Sequence, residues 1–368
     1  MQYTVQLNTG SLEQSMMDAG QAIRSLSYCM EKIKIRRVIF GWSKDSELNR
    51  EISSFLAQHQ IEQYLWLPVF AEIHGTQREE NLSIISSKKK EVELYGGDEF
   101  DFVCQSSEKN LAHVLEVFEK IAEPLQLDGV FLDRIRYESA ATSPMAAYGC
   151  WCPRCRNIYE RYGVDAEHIR ELAGHMQPEQ FMPAEREGFI YHYENPYIER
   201  LMSARRDIVS GHVGRLRDAF HSKGFKVGAD VFDPSVADLV GQDLTALSQG
   251  MEFIKPMVYL RTNAPAGVPF EMGVLGDRMK ERINTLWGGN VYQMDTAVEQ
   301  MQLLKKTGAK VAPGIDANQV EGICSADPQY VGAYLGALAD AGIGEAVLSW
   351  NLAAMSDETF EAAAQLQS

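Results

Sequence analysis

The stretch that most constrains the fold of this chain is Leu127–Tyr137, which reads Leu-Asp-Gly-Val-Phe-Leu-Asp-Arg-Ile-Arg-Tyr. Its apolar run Val130–Leu132 needs burial on both faces, which is typical of a strand in a parallel sheet. Asp133, Arg134 and Arg136 follow without a turn residue, and charges at the end of a buried strand are costly unless they are paired or used. Because active sites of parallel barrels lie at this end of the strands, Asp133 is predicted to be a catalytic carboxylate.

Seven further segments have the apolar character of buried strands, and helical segments separate them. The eight predicted strands are Arg37–Trp42, Gln63–Phe70, Phe100–Cys104, Leu127–Tyr137, Lys226–Phe232, Glu252–Tyr259, Lys310–Asp316 and Glu345–Asn351. Strands alternating with helices at this spacing indicate parallel βαβ units, and eight of them in 368 residues fit a closed (β/α)8 TIM barrel. A doubly wound open sheet is the weaker alternative, since no glycine fingerprint follows the first strand.

The domain organisation is predicted to be simple. Residues 1–368 are expected to form a single α/β barrel domain, with a long insertion after strand four at residues 138–196. Met1–Leu7 is interpreted as a short strand or an irregular lead-in. Ser11 is predicted to cap a helix that runs to about Lys34, and a longer amphipathic helix is predicted over Tyr197–Lys223.

The composition argues against some partners before any motif is considered. The formal net charge is -16, whereas nucleic acids and anionic membrane surfaces both require a basic patch. Neither is therefore expected as a partner. Met1–Gly10 lacks the segments of a signal peptide, and no apolar run is long enough to span a membrane, so a cytoplasmic protein is expected. The apolar loop Ala264–Phe270 could be a lid, a contact in a homo-oligomer, or neither.

Polar residues at the strand ends would converge on one pocket if the barrel closes. The catalytic candidates are Asp133, Asp230 and Asp316, and the substrate-binding candidates are Glu72, His74, Arg136, Lys255, Tyr259, Trp350 and Asn351. Carboxylates and aromatic rings together suit glycoside hydrolysis, in which one carboxyl group protonates the leaving oxygen and another attacks or activates water. Aspartates at strand ends also cap the helices that follow, so a capping role is the alternative to a catalytic role for each aspartate.

The predicted roles follow from the charges near each aspartate. The adjacent arginines are expected to keep Asp133 ionised, as a nucleophile or charge stabiliser, and Asp230 or Asp316 would then act as acid and base. The expected partner is a small carbohydrate. Two alternatives remain: a lyase or isomerase that uses Lys255 as a Schiff base, and a non-catalytic sugar-binding barrel that keeps Tyr259 and Trp350.

The segment Asp128–Tyr137 resembles the strand-four motif of glycosyl-hydrolase-like TIM-barrel families of bacteria. The order in that motif is Asp-Gly, apolar residues, Asp, any residue, an apolar residue, Arg, an aromatic residue and Pro. Glu252–Tyr259 is similar to strand six of these families. The resemblance covers the barrel strands from Val38 to Asn351, although Glu138 stands where the families usually have proline. It implies a glycosidase-type barrel with Asp133 in the active site, and it names neither the sugar nor the second carboxylate.

A cysteine cluster lies in the predicted insertion, where Cys150–Cys155 carries three cysteines in a C-x-C-x-x-C pattern. Thiolates at this spacing can surround one tetrahedral zinc ion, which needs a fourth ligand. Cys104 is the first choice for it, and His168 and His175 are alternatives. The pattern also resembles the zinc-binding cysteines of family 42 β-galactosidases, and the match covers Cys104, Cys150, Cys152 and Cys155. A structural zinc and no organic cofactor are expected, with free buried thiols as the alternative.

Overall fold

The structure is a computed structural model that describes residues 1–10, 14–71, 78–88, 94–95, 98–99, 101–141, 146–175 and 178–367. Eight parallel strands close into a barrel in which each strand pairs with its neighbours in the chain and the last pairs with the first. They are β1 (Gln2–Asn8), β2 (Ile35–Gly41), β3 (Glu62–Pro68), β4 (Gly129–Asp133), β5 (Lys226–Phe232), β6 (Phe253–Met257), β7 (Gly314–Asp316) and β8 (Glu345–Ser349). The predicted (β/α)8 TIM barrel is confirmed.

One predicted strand is wrong and another was missed, although the number eight is correct. The lead-in is β1, whose Val5 pairs with Val38 of β2 and Leu348 of β8. The segment predicted as strand three lies in the loop after β3, where Phe102 and Val103 make only isolated antiparallel bridges. Phe100 itself lies outside the described residues.

Helices surround the barrel. They are α1 (Ala19–Lys32), α2 (Ser46–Gln58), α3 (Glu108–Ala122), α4 (Pro153–Arg161), α5 (Ala166–Gly174), α6 (Pro196–Ser222), α7 (Pro234–Ala237), α8 (Leu244–Ser248), α9 (Val268–Gly273), α10 (Asp277–Trp287), α11 (Met294–Lys306), α12 (Pro328–Asp340) and α13 (Asp357–Ala364). The long helix predicted over 197–223 is α6. Helix α1 begins later than predicted, since Asp18 and Gln21 form its capping box; Ser11 lies outside the described residues. No described helix is both long and apolar enough to cross a membrane.

Residues 134–195 connect β4 to α6, where the sequence predicts an insertion. They contain α4, α5 and a small antiparallel hairpin of Glu185–Glu187 and Ile190–His192. The hairpin packs on α10, because the Arg186 guanidinium lies 4.0 Å from the Trp287 ring and the Trp287 indole donates to the Tyr191 hydroxyl at 2.7 Å. That this segment is an insertion into a single domain stays a prediction.

The amino-terminal end of the barrel is closed by a paired arginine. Arg37 on β2 is almost fully buried and forms ion pairs with Glu62 at 3.1 Å and Glu345 at 2.7 Å. Its guanidinium lies 4.0 Å from the centre of the Phe253 ring. Aromatic and aliphatic side chains, including Tyr64, fill the barrel above it. A binding site in the barrel is therefore left to the opposite, carboxyl-terminal end.

Gly314→Ala is expected to lower the free energy of unfolding by about 1–3 kcal/mol, because overpacking a filled core strains it. A Cβ atom at Gly314 would lie 3.1 Å from Cγ of Lys255 and closer still to Cε, inside the barrel. Urea unfolding measures the effect. The control is Gly336→Ala on α12, where an added Cβ meets nothing within 4 Å and the helix should gain up to about 1 kcal/mol. Equal changes in both variants would contradict the packing argument.

Candidate active site

A cavity of about 450 Å³ lies at the carboxyl-terminal end of the barrel, within the usual size range of ligand sites. It is lined by Asn8, Trp42, Trp66, Asp133, Arg134, Arg136, Asp230, Met257, Tyr259, Thr262, Asn263, Ala264, Pro265, Ala266, Phe270, Gly322, Ile323 and Trp350. Two carboxylates thus border the same space as several aromatic rings. Of the predicted residues, Asp133, Asp230, Arg136, Tyr259 and Trp350 come together here.

Asp133 is the last residue of β4, and N–H groups hold both of its oxygens. The Trp66 indole donates to Oδ2 at 2.9 Å, and the backbone N–H of Arg134 donates to Oδ1 at 2.6 Å. Burial raises the pKa of Asp133, while the positive charge of Lys255 is the largest opposing effect. The sequence predicts that the adjacent arginines keep Asp133 ionised. In the structure Lys255 has the larger effect on the pKa of Asp133, and the Arg134 guanidinium lies 4.6 Å from the centre of the Trp42 ring.

Asp230 forms a buried ion pair with Lys255 behind the cavity wall. The Lys255 ammonium donates to both oxygens of Asp230 at 3.0 and 3.2 Å and to the hydroxyl of Tyr259 at 2.7 Å. Burial raises the pKa of Asp230 to about 7, although Lys255 acts in the opposite direction and the charge of Asp133 adds to the rise. Lys255 itself is fully buried and does not line the cavity.

Asp316, the last residue of β7, faces a loop instead of the cavity. Its carboxylate accepts from the backbone N–H of Arg261 at 2.6 Å, the Thr262 hydroxyl at 3.1 Å and the Tyr330 hydroxyl at 2.7 Å. It is fully buried and burial raises its pKa. The residue therefore anchors the loop 261–267, called the roof loop here, which covers one side of the cavity.

The other predicted binding residues take different positions. Arg136 lines the cavity with its guanidinium 4.1 Å from the Phe232 ring. Asn351 does not line it: the Asn351 side chain accepts from the backbone N–H of Ala353 at 3.2 Å and caps a short 3-10 helix. Glu72 and His74 lie outside the described residues.

Several cavity residues were not predicted from the sequence. Trp42 and Trp66 line the cavity through the ends of β2 and β3, and the roof loop with Phe270 covers it. Trp42 and Arg134 have φ angles of 79° and 53°. Such left-handed conformations are unfavourable for residues other than glycine and cluster at functional sites, but they leave no mark in the sequence.

The cysteine cluster lies beside the barrel, and its four sulfur atoms can hold one metal ion. Those of Cys104, Cys150, Cys152 and Cys155 all lie within 4.8 Å of one another, and the Cys104 sulfur is 3.6 Å from those of Cys152 and Cys155. The donor set is the one predicted, although Cys104 sits in the loop before α3 and not on a barrel strand. The ring of the alternative ligand His168 lies instead against the Tyr197 ring, with the centroids 4.7 Å apart and the planes tilted by 45°.

Comparison with known proteins supports the fold. No protein-family model matches the chain, and no curated protein matches its sequence. The structure is similar to the PgaB (BpsB) glycoside hydrolase domain from Bordetella bronchiseptica, with a TM-score of 0.62 and 11% identity over 95% of this chain and 94% of that one. It is also similar to α-L-fucosidase isoenzyme 2 from Paenibacillus thiaminolyticus, with a TM-score of 0.54, 13% identity and coverage of 98% of this chain but 48% of that one. The barrel is therefore of a kind found in glycoside hydrolases.

Asp316→Asn is expected to lower the free energy of unfolding by about 1–3 kcal/mol, because one buried donor to the carboxylate would lose its acceptor. Thermal unfolding measures this change, and hydrogen exchange should become faster in the roof loop. Asp277→Asn is the control, since this side chain is 89% exposed. Slow exchange of the roof loop in Asp316→Asn, as in the wild type, would contradict the anchoring role.

Proposed function

We propose that the protein is a glycoside hydrolase that acts on a small glycoside or oligosaccharide. The observation that carries the proposal is that Asp133 and Asp230 border one cavity whose walls also hold indole and phenol rings. Hydrolysis of a glycosidic bond needs two carboxyl groups with different tasks at one sugar ring. The similarity of the fold to glycoside hydrolase barrels supports the proposal at the level of architecture.

The two carboxyl groups receive different roles from their surroundings. Burial raises the pKa of Asp230 to about 7, so near neutral pH a share of the molecules holds it protonated and the rest hold it as the carboxylate that pairs with Lys255. In the protonated form it would give its proton to the glycosidic oxygen as the bond to the sugar breaks. Burial raises the pKa of Asp133 as well, but the charge of Lys255 and the two N–H groups that Asp133 accepts oppose this rise and favour its ionised form. It would attack the anomeric carbon or stabilise its positive charge; water then completes hydrolysis and Asp230 recovers a proton. Asp316 is not used, since its carboxylate anchors the roof loop.

Sugar binding is assigned to the aromatic wall. Trp42, Trp66, Tyr259 and Trp350 line the cavity, and aromatic rings can pack on the apolar C–H faces of sugars. Arg136 and Asn263 offer polar groups for sugar hydroxyls. The lysine-dependent alternative is weaker, because Lys255 is fully buried behind the wall and its ammonium is taken by Asp230 and Tyr259.

Asp230→Asn and Asp133→Asn are expected to reduce kcat on a cleaved glycoside by roughly 10²–10⁴-fold, because each removes a proton donor or a charge that the reaction requires. A panel of nitrophenyl and natural glycosides provides the measurement. Asp233→Asn is the matched control. Asp233 follows β5 and is buried like Asp230, but its carboxylate accepts a hydrogen bond from the backbone N–H of Ser235 and does not line the cavity. If the folded wild type binds sugars but cleaves none, the chain is a sugar-binding barrel and the hydrolase proposal is wrong.

The pH dependence of kcat/KM should report the acid. Because the pKa of Asp230 is raised to about 7 and the acid acts in its protonated form, activity should fall as pH rises through about 7. Residual activity of Asp230→Asn should lack this alkaline decline. A decline at the same pH in the variant would assign it to another group.

We further propose that the four cysteines bind a structural zinc ion. Four thiolates complete a tetrahedral shell and leave no position for a reacting water molecule, so the ion would have no part in hydrolysis. The cluster also joins chain segments, since the backbone N–H of Leu82 donates to the Cys150 sulfur at 3.5 Å and that of Trp151 donates to the Leu82 carbonyl at 2.8 Å. All six cysteines are described and none of them is in a disulfide, which suits a reducing compartment such as the cytoplasm.

Removal of the metal with a chelator is expected to lower Tm by at least about 2 °C, the shift that roughly 1 kcal/mol produces in a domain of about 150–250 residues. Metal content and thermal unfolding are measured before and after treatment. Cys324→Ser should behave like the wild type, because Cys324 is not part of the cluster. Purified protein that contains no metal and keeps its Tm when zinc or a chelator is added would refute the zinc proposal.

A further inference from the structure

Helix α6 carries a fully buried arginine, Arg205, that has no carboxylate partner among the described residues. Its Nη atoms donate to the carbonyls of Ala147 at 2.9 Å and Leu239 at 3.2 Å, while Nε has no hydrogen-bond partner in the described part of the chain. The acidic residue beside it, Asp238, makes its ion pair with Arg206 at 3.0 Å. The charge of Arg205 also acts on Asp238, but that carboxylate is already paired. A buried charge without its own counter-charge is strongly unfavourable, so Arg205 favours a further anion beyond those that the described residues place in contact with it.

The surroundings of Gly149 place the side chain of Arg205 against the residue that precedes Cys150 of the cysteine cluster. A Cβ atom at this position would lie 2.8 Å from the Tyr159 hydroxyl, 3.3 Å from Cε1 of Tyr137 and 3.5 Å from Cδ of Arg205. The φ angle of Gly149 is +68°, which also favours glycine. The three side chains thus pack directly against the backbone that precedes Cys150, and the Arg205 guanidinium lies 4.6 Å from the Tyr137 ring.

A metal bound by this cluster would carry excess negative charge. Four thiolates and one divalent ion sum to a net charge of about -2, and three of the four cysteines are fully buried. Neutral donors already face the sulfur atoms: the Ser106 oxygen lies 3.3 Å from the sulfur of Cys104 and 3.1 Å from that of Cys155. Hydrogen bonds of this kind spread the charge but do not neutralise it, so the buried site requires a cation.

We propose that Arg205 is the counter-charge of a tetrathiolate zinc centre formed by Cys104, Cys150, Cys152 and Cys155. The inference rests on the zinc proposed above and is independent of glycosidase activity. It accounts for two features together. Arg205 is buried without a carboxylate partner among the described residues, and a metal bound by four thiolates would leave a buried site with a net negative charge. Arg205 does not contact the metal; it is a positioning residue that stabilises the thiolates through charge, as outer groups around metal ligands commonly do.

The arrangement also ties the metal centre to the candidate active site. The ring under the Arg205 guanidinium belongs to Tyr137, which follows Arg136 of the cavity wall directly in the chain. The backbone N–H of Tyr137 donates to the Val240 carbonyl at 2.9 Å. Of two consecutive residues after Asp133, Arg136 therefore lines the cavity and Tyr137 contacts Arg205.

The test measures zinc affinity of the full chain by competition with a chromophoric chelator. Arg205→Met is expected to bind zinc about 10–100-fold more weakly than the wild type, the range usual for lost outer groups of metal sites. Arg206→Lys is the control, because it alters the adjacent buried arginine of α6 but keeps a cation against Asp238, which would otherwise be free to pair with Arg205; its zinc affinity should be unchanged. Cobalt spectra of each loaded protein check that tetrahedral thiolate coordination is kept.

A second pair of variants covers the case in which Arg205→Met does not fold. Arg205→Lys keeps the charge and should stay close to the wild type in zinc affinity, whereas Arg205→Gln should lose affinity. Equal affinity in Lys and Gln variants, or in the wild type and Arg205→Met, would overturn the counter-charge role and leave the zinc centre standing. A wild type that binds neither zinc nor cobalt would refute the zinc centre and this role together, without bearing on the glycosidase proposal.

Discussion

The cavity end of the barrel depends on the buried ion pair between Lys255 of β6 and Asp230 of β5. An ammonium inside a barrel is tolerated only against a carboxylate with good geometry, and here both oxygens of Asp230 accept from it. Gly314 leaves the space that the lysine chain occupies. The same ammonium donates to Tyr259, so one buried charge holds a carboxylate and an aromatic ring of the cavity in place.

Charged side chains are buried at both ends of the barrel, and their surroundings differ between the two ends. At the closed end, Arg37 forms ion pairs with two glutamates that are partly open to water. At the cavity end, Asp133 and Asp230 are both buried and burial raises the pKa of both. Raised pKa values of neighbouring carboxyl groups are typical of sites that move protons.

Most of the barrel could be predicted because apolar strands alternate with amphipathic helices. β1 was not recognised as a barrel strand, since its polar residues Thr4 and Gln6 look exposed in the sequence but are fully buried in the fold. For the site, the rule that active sites of parallel barrels lie at the carboxyl-terminal ends of the strands predicts one pocket for Asp133, Asp230 and Asp316. It does not tell that Asp316 turns towards the roof loop, or that left-handed backbone brings Trp42 to the cavity. Those outcomes depend on loop contacts that no local pattern encodes.

The cysteine positions have a consequence for the chain itself. Cys104 precedes β4 and Cys150 follows it, 46 residues later (150 − 104), so a shared metal ion would close a loop that contains both α3 and the strand ending in Asp133. By the same chain-entropy argument used for disulfides, closing a loop of this length removes roughly 4 kcal/mol of conformational freedom from the unfolded state. The strand that bears the candidate nucleophile would therefore be tethered to one metal ion through the segments on both of its sides.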